Sequence, residues 1–257
     1  MKRALSLYAA AVYLFLHLPL AVLAVFSFNS SRFTVWEGFS LRWYEALFRD
    51  PHLAEAALNS LIIAFTATAA ATVIGTLCAY GLWKQKTGIL PGFIKSSLYL
   101  SLVTPEIVMG VSLLAFYQWV FRFLDVQLGM HTVVLAHVMF SIAYVVVVAL
   151  ARLRTLDPSL EEAALDLGAT EWVAFRKVTL PQLMPGVAAA ALLAFTISID
   201  DYVITSLVAG VDSETLPMVI YAMARRGGSP LVNAVSTLIV VILGVMIVAS
   251  ERLQGHS

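Results

Sequence analysis

Six stretches of the chain carry almost nothing but apolar side chains for about twenty residues each, at 5–28, 58–83, 97–121, 132–150, 184–208 and 231–250, and most charged residues fall between them. A helix rises ~1.5 Å per residue, so runs of this length cross the ~30 Å hydrocarbon layer of a bilayer. The pattern predicts an all-α membrane protein with six transmembrane helices. The first run follows Met1-Lys2-Arg3 but is too long for the apolar core of a signal peptide. In the second run Ala67, Ala71, Gly75 and Ala79 recur every four residues. Such a stripe of small side chains predicts a face on which another helix packs closely.

Composition strengthens this picture. The 257 residues are 60% hydrophobic and 12% charged, and the mean hydropathy of +0.88 excludes an ordinary soluble domain. Sixteen basic residues balance sixteen acidic ones, which gives no excess of charge to recruit nucleic acid. The single Cys78 has no companion for a disulfide or a thiolate metal site and reads as packing. With a cytoplasmic N-terminus, the inner segments hold Lys2, Arg3, Lys84, Lys86, Lys95, Arg152, Arg154, Arg176, Lys177 and Arg252, ten of the sixteen Lys and Arg. The positive-inside rule therefore predicts a multi-pass protein with both termini cytoplasmic. The outer segment 29–52 carries Trp36, Phe39, Trp43, Tyr44 and Phe48, which suit an interfacial belt. No internal repeat divides the chain, so residues 1–257 are expected to form one membrane domain.

The longest inner connection, 151–183, is organised. Asp157-Pro158 signals a helix start, Gly168 can take the left-handed conformation that ends a helix, and a second short helix should open at Ala169-Thr170-Glu171 and stop at Leu180-Pro181. Ala163, Ala164 and Leu167 share a small apolar face, while Glu162 and Asp166 lie one turn apart on a polar one. A helix-turn-helix of this kind can dock in a partner's groove.

Glu162-Ala163-Ala164, Gly168, Phe175, Val178 and Leu180-Pro181 resemble the EAA motif of ABC importer permeases. Val178 stands where that family often has Ile. The resemblance implies that 151–183 is a coupling loop seated in a cleft of an ATP-hydrolysing subunit, with Gly168 at the bend and Glu162 at the rim. Asn29-Ser30-Ser31-Arg32-Phe33, Pro105-Glu106-Ile107-Val108-Met109 and Ser198-Ile199-Asp200-Asp201-Tyr202-Val203 are similar to the spermidine/putrescine branch of that family. That likeness implies a MetI-like type I importer fold in a bacterial inner membrane. It implies a second homologous permease, two cytoplasmic ATPase subunits that hold ATP and Mg, and a periplasmic polyamine-binding protein. No cofactor and no enzymatic activity are expected of this chain itself.

Glu106, Asp200 and Asp201 are the acidic residues inside predicted spans. A carboxylate at the bilayer centre costs on the order of 2.5–3.5 kcal/mol on insertion scales, so each is expected to face a watery path or to pair with the partner permease or a helix terminus. Counted along straight helices, Glu106 lies nearer the inner surface and the two aspartates farther out, as a ladder. Ser198, Asp201 and Thr205 share one face and Asp200 points about 100° away, which favours Asp201 for the path. Pro105 frees a backbone carbonyl one turn before it. Ammonium groups of a polyamine need such carboxylates, and its methylenes need an apolar or aromatic wall. Phe195, Tyr202, Tyr117 and Trp119 are candidates for that wall, and His137 reads as a hydrogen-bonded structural histidine.

Three other functions compete. An intramembrane aspartyl protease needs two carboxylates from different helices sharing a proton, and it leaves the helix-turn-helix unexplained. A proton-coupled secondary transporter would use the same acids as a relay and need no ATP. A permease of the same type for another solute, such as ferric ion, thiamine or a phosphonate, shares every feature but the cargo, and the anionic path disfavours phosphonate. The chain has no G-x-x-x-x-G-K-[ST] motif, so it does not bind ATP through a P-loop.

Overall fold

The computed structural model describes residues 2–33, 35–85, 87–121, 123, 126–226 and 230–254, with the backbone alone for 2–4, 243 and 246–254. Lys86, which enters the charge argument, lies outside the described residues, as do the side chains of Lys2, Arg3 and Arg252. In chain order the helices are α1 (Lys2–Phe26), α2 (Arg42–Arg49), α3 (Pro51–Lys84), α4 (Ile89–Val103), α5 (Glu106–Phe121), α6 (Met130–Leu153), α7 (Ser159–Asp166) and α8 (Glu171–Ala174). After a π-helical turn over Phe175–Thr179 come α9 (Leu180–Asp200), α10 (Val203–Val208), α11 (Leu216–Arg225) and α12 (Pro230–Gln254). Among the described residues four helices are long and apolar enough to cross a membrane, or five if one sharply bent pair is a single span.

The first, second and fourth apolar runs are the continuous helices α1, α3 and α6. The third is not the continuous 97–121 helix expected from its composition. It is the pair α4 and α5, bent by 114°. Pro105 explains the break: its ring disfavours helical geometry at the residue before it, and Thr104 accordingly sits extended at φ −66°, ψ 127°. The fifth run, expected as one helix over 184–208, breaks at Asp201, which is extended at φ −67°, ψ 123° before the chain restarts as α10.

The chain's contacts divide it into two compact units, Met1–Ala57 with Met218–Ser257, and Leu58–Pro217. In the first, α12 packs against α1 and α2. The loop after α1 is knit by Asn29, whose amide donates to the carbonyls of Phe33 (3.3 Å) and Val35 (2.8 Å) and whose Oδ1 accepts from the N–H groups of Ser31 and Glu37. Trp43 donates its indole N–H to the Asn29 carbonyl at 2.8 Å and is buried. Tyr44 is half-buried beside Phe28. Of the expected aromatic belt, Trp36, Phe39 and Phe48 remain exposed, while Trp43 and Tyr44 turn inward to order the loop.

In the second unit α6 is the central helix, in contact with α4, α9 and α10. Ala67, Ala71 and Ala79 are fully covered, and a β-carbon on Gly75 would come within 2.6 Å of Val145 Cγ1. The small-residue stripe of α3 therefore seats α6. Lipid and core are equally apolar, so close van der Waals contact of this kind, rather than exclusion of water, holds membrane helices together. A β-carbon on Gly110 of α5 would likewise meet Leu207 Cδ1 of α10 at 2.6 Å.

Candidate functional site

Two regions carry the sequence candidates. The first is the turn between α7 and α9. Asp157 Oδ1 accepts the Ser159 N–H at 3.0 Å, which opens α7 and holds the Asp157 carboxyl below the usual carboxylate range. At the other end the Gly168 N–H donates to the Leu165 carbonyl (2.9 Å) and the Ala169 N–H to the Ala164 carbonyl (3.0 Å). This paired closure requires a left-handed residue, and Gly168 supplies it at φ +87°. Thr170 Oγ1 then accepts from the Val173 N–H and caps α8.

The second short helix does not stop at Leu180-Pro181. The Leu180 N–H bonds to the Phe175 carbonyl, a π turn, and the helix continues without interruption from Glu171 to Asp200, thirty residues. The wide turn changes the hydrogen-bond ladder just where Pro181 brings no donor, and Pro181 then occupies the first turn of α9. Glu162 and Ala163 are exposed, Ala164 is half-buried, and Leu167 is 90% exposed. Ala163 on α7 and Leu167 just past its end are thus uncovered in this chain.

Glu161, which no pattern in the sequence marks out, is the buried side chain of α7. Its Oε1 takes a hydrogen bond from Tyr80 (2.7 Å) and an ion pair from Lys84 (2.6 Å), and its Oε2 accepts from the Thr179 hydroxyl. Burial pushes the Glu161 carboxyl up, but the bonds from Lys84, Thr179 and Tyr80 outweigh it and hold the group below its ordinary value.

The second region is formed by the two helix breaks. Glu106 opens α5, exposed, in the first turn where free N–H groups favour a carboxylate. Asp200 ends α9 and is exposed. Both precede the packed Gly110–Ile204 contact by four residues. With both spans broken, the ladder counted along straight helices does not hold. Asp201 turns inward, its side chain 5% exposed. Its Oδ2 accepts from the Thr205 N–H (2.8 Å) and hydroxyl (2.7 Å), its Oδ1 from the Ile204 N–H (3.4 Å), so it caps α10. His137 on α6 spans the break: Nδ1 meets Ser198 Oγ at 2.7 Å, and Nε2 meets Thr205 Oγ1 at 2.9 Å and Asp201 Oδ2 at 3.5 Å. Because the Thr205 hydroxyl donates to Asp201, Nε2–H is the donor to Thr205, and in the neutral ring Nδ1 accepts from Ser198.

The aromatic candidates do not form one wall. Tyr117 is buried, donates to the Thr132 carbonyl at 3.2 Å and stacks on Phe121. Phe195 is buried against Phe65. Trp119 is exposed beside Phe123, and Tyr202 is half-buried at the break.

The sequence profile of a family described as the binding-protein-dependent transport system inner membrane component matches residues 71–257. The chain belongs to that family. This inner membrane component is 41% identical over 245 residues to the spermidine/putrescine transport system permease protein PotC of Escherichia coli K12, across 95% of its own length and 91% of the relative's. It is 42% identical to the putrescine transport system permease protein PotI of the same organism, across 90% and 84%, and 40% identical to PotC of Haemophilus influenzae, across 93% and 92%. Among solved structures, a chain of a bacterial ABC transporter involved in the import of alginate has a TM-score of 0.72 at 16% identity, covering 99% of this chain and 96% of that one. A chain of the MetNI methionine ABC transporter has a TM-score of 0.68 at 19% identity, covering 79% and 95%. These likenesses show the fold: an all-helical, MetI-like permease of the type I ABC importers.

Proposed function

We propose that this inner membrane component is the permease subunit of an ATP-driven importer, forming half of a translocation path for polyamines. The observation that carries the reading is the near full-length identity, above 40%, to two relatives named as spermidine/putrescine and putrescine permeases. In this reading α4 with α5 and α9 with α10 are each one broken span, α12 is the sixth, and both termini are cytoplasmic. A second permease completes the path, two ATPase subunits hold ATP and Mg and receive the turn around Gly168, and a periplasmic binding protein delivers the cargo. Irregular backbone inside a membrane is tolerated where it lines a cavity or meets protein, which supports the breaks at Pro105 and Asp201 as path-lining positions.

Glu106 and Asp200 are the proposed cation partners, each exposed in this chain. Asp201, capping α10 and touching His137, fixes the break from which Asp200 projects. A hydrogen bond to a charged group contributes about 1.5–3 kcal/mol, enough for carboxylates on the path to hold ammonium groups without trapping them. Trp119, exposed beside Phe123, is the aromatic candidate for the methylenes, while Tyr117 and Phe195 serve the fold.

The test is reconstitution with the second permease, ATPase and binding protein, measuring ATP hydrolysis and uptake with spermidine, putrescine, ferric ion and thiamine. Polyamines alone should stimulate both, and Asp200→Asn with Glu106→Gln should lower uptake at least tenfold. Stimulation by another solute would overturn the cargo, and uptake without ATP would overturn the importer in favour of a secondary transporter.

A further inference from the structure

The coupling turn is held to the rest of its unit in an unusual way. α7 has eight residues, too few to be stable alone. None of its apolar side chains is fully buried: Leu160 is 47% exposed, Ala164 and Leu165 are half-buried, and Leu167, just past its end, is 90% exposed. Its buried side chain is instead the Glu161 carboxylate, 3% exposed. Three donors from two other elements converge on it: Tyr80 and Lys84 from the last turns of α3, and Thr179 from the π turn that leads into α9.

We propose that Glu161 is a positioning residue that locks the coupling turn to α3 and to the root of α9, so that a push on α7 is delivered to both helices together. The proposal rests on the reading of α7 and α8 as the coupling turn. An apolar anchor tolerates sliding, whereas hydrogen bonds to an ion are short and directional. Only an ionised carboxylate offers acceptors to all three donors, because an amide replaces one oxygen with a donor of its own. The π turn is the place where the ladder from Glu171 to Asp200 is irregular, and the Thr179 bond fastens that place to α7. Lys84 also lies in the last turn of α3, where a cation complements the helix dipole. Removing Glu161 leaves α7 free to follow the ATPase without moving the helices behind it.

The readout is uptake of radiolabelled spermidine per ATP hydrolysed, in proteoliposomes carrying the assembled complex with its binding protein. Glu161→Ala and Thr179→Val should each lower that ratio, by at least tenfold and about threefold, while Thr179→Ser, which keeps the hydroxyl, restores it. Glu161→Gln keeps the side-chain shape and should fall between, which decides the matter if the alanine variant does not assemble. An unchanged ratio in assembled Glu161→Gln and Thr179→Val complexes overturns the proposal. Leu167→Asp, uncovered just past the end of α7, separates this from the underlying reading: it should release the ATPase. If it does so while Glu161 and Thr179 variants stay coupled, only the locking role fails. If the Leu167→Asp complex holds its ATPase and transports normally, the coupling-turn reading fails and this proposal with it.

Discussion

Replacing His137 with leucine should unfasten the break between α9 and α10. The imidazole holds Ser198 at 2.7 Å and Thr205 at 2.9 Å and sits 3.5 Å from Asp201. Interhelical hydrogen bonds in membranes average about 0.6 kcal/mol and reach about 1.7. Two of them, with a buried carboxylate left to Thr205 and Ile204 alone, give an expected loss of about 2–4 kcal/mol. Reversible unfolding of the purified protein in mixed micelles, titrated with a denaturing detergent, measures it. Thr205→Val removes the hydroxyl that bridges His137 and Asp201, so the double variant should lose less than the sum of the singles, by about 1 kcal/mol. A His137→Leu protein within about 0.5 kcal/mol of wild type, or strict additivity with Thr205→Val, would refute the idea that these groups act as one unit.

Three other outcomes follow from particular contacts. Gly110→Leu drives a side chain into Leu207 and the Ile204 backbone and should destabilise the α5–α10 pair by about 1–3 kcal/mol, recovered in part by Leu207→Ala, both read in the same unfolding assay. A β-carbon on Gly168 meets no neighbouring atom, so the cost of Gly168→Ala, about 1–2 kcal/mol from the positive φ alone, should appear as lost coupling in the uptake-per-ATP ratio while the fold of the spans, read by circular dichroism, is retained. The Glu161 carboxyl lies below its ordinary 4.5 when folded, so the unfolded chain binds its proton more tightly. Its stabilisation is therefore complete above the ordinary value and lost as pH falls through the lower folded one. Melting temperature scanned from neutral to acid should show this loss on the acid limb, and Glu161→Gln should flatten that limb.

The helices that run in one piece were legible because length and composition suffice for them: α1, α3 and α6 match their apolar runs to within a few residues at most ends. So was the turn around Gly168, where cap residues and glycine act locally. The breaks were written in the same alphabet but misread. Pro105 does more than free one backbone carbonyl, since its effect on Thr104 ends the helix, and Asp201, weighed as a charge, is foremost a cap whose partner Thr205 stands four residues on. Face arithmetic on an unbroken helix favours Asp201 over Asp200 for the path, whereas the break leaves Asp200 exposed and turns Asp201 inward. Glu161 was hidden for another reason. A glutamate on a short polar helix normally points to water, and nothing local reveals that Lys84, Tyr80 and Thr179 close over it. The stop expected at Pro181 failed because a π turn absorbs the missing donor, and no residue pattern announces such a turn.

The uninterrupted helix from Glu171 to Asp200 has a mechanical consequence. At ~1.5 Å per residue it is about 45 Å long, with the turn around Gly168 at one end and the exposed Asp200 carboxylate at the other. Tilting such a helix by about 10° around its middle swings each end by about 4 Å in opposite directions, on the scale of the one-turn steps by which packed helices change register. Small strokes at the end near Gly168 are thereby returned, reversed, at the far one.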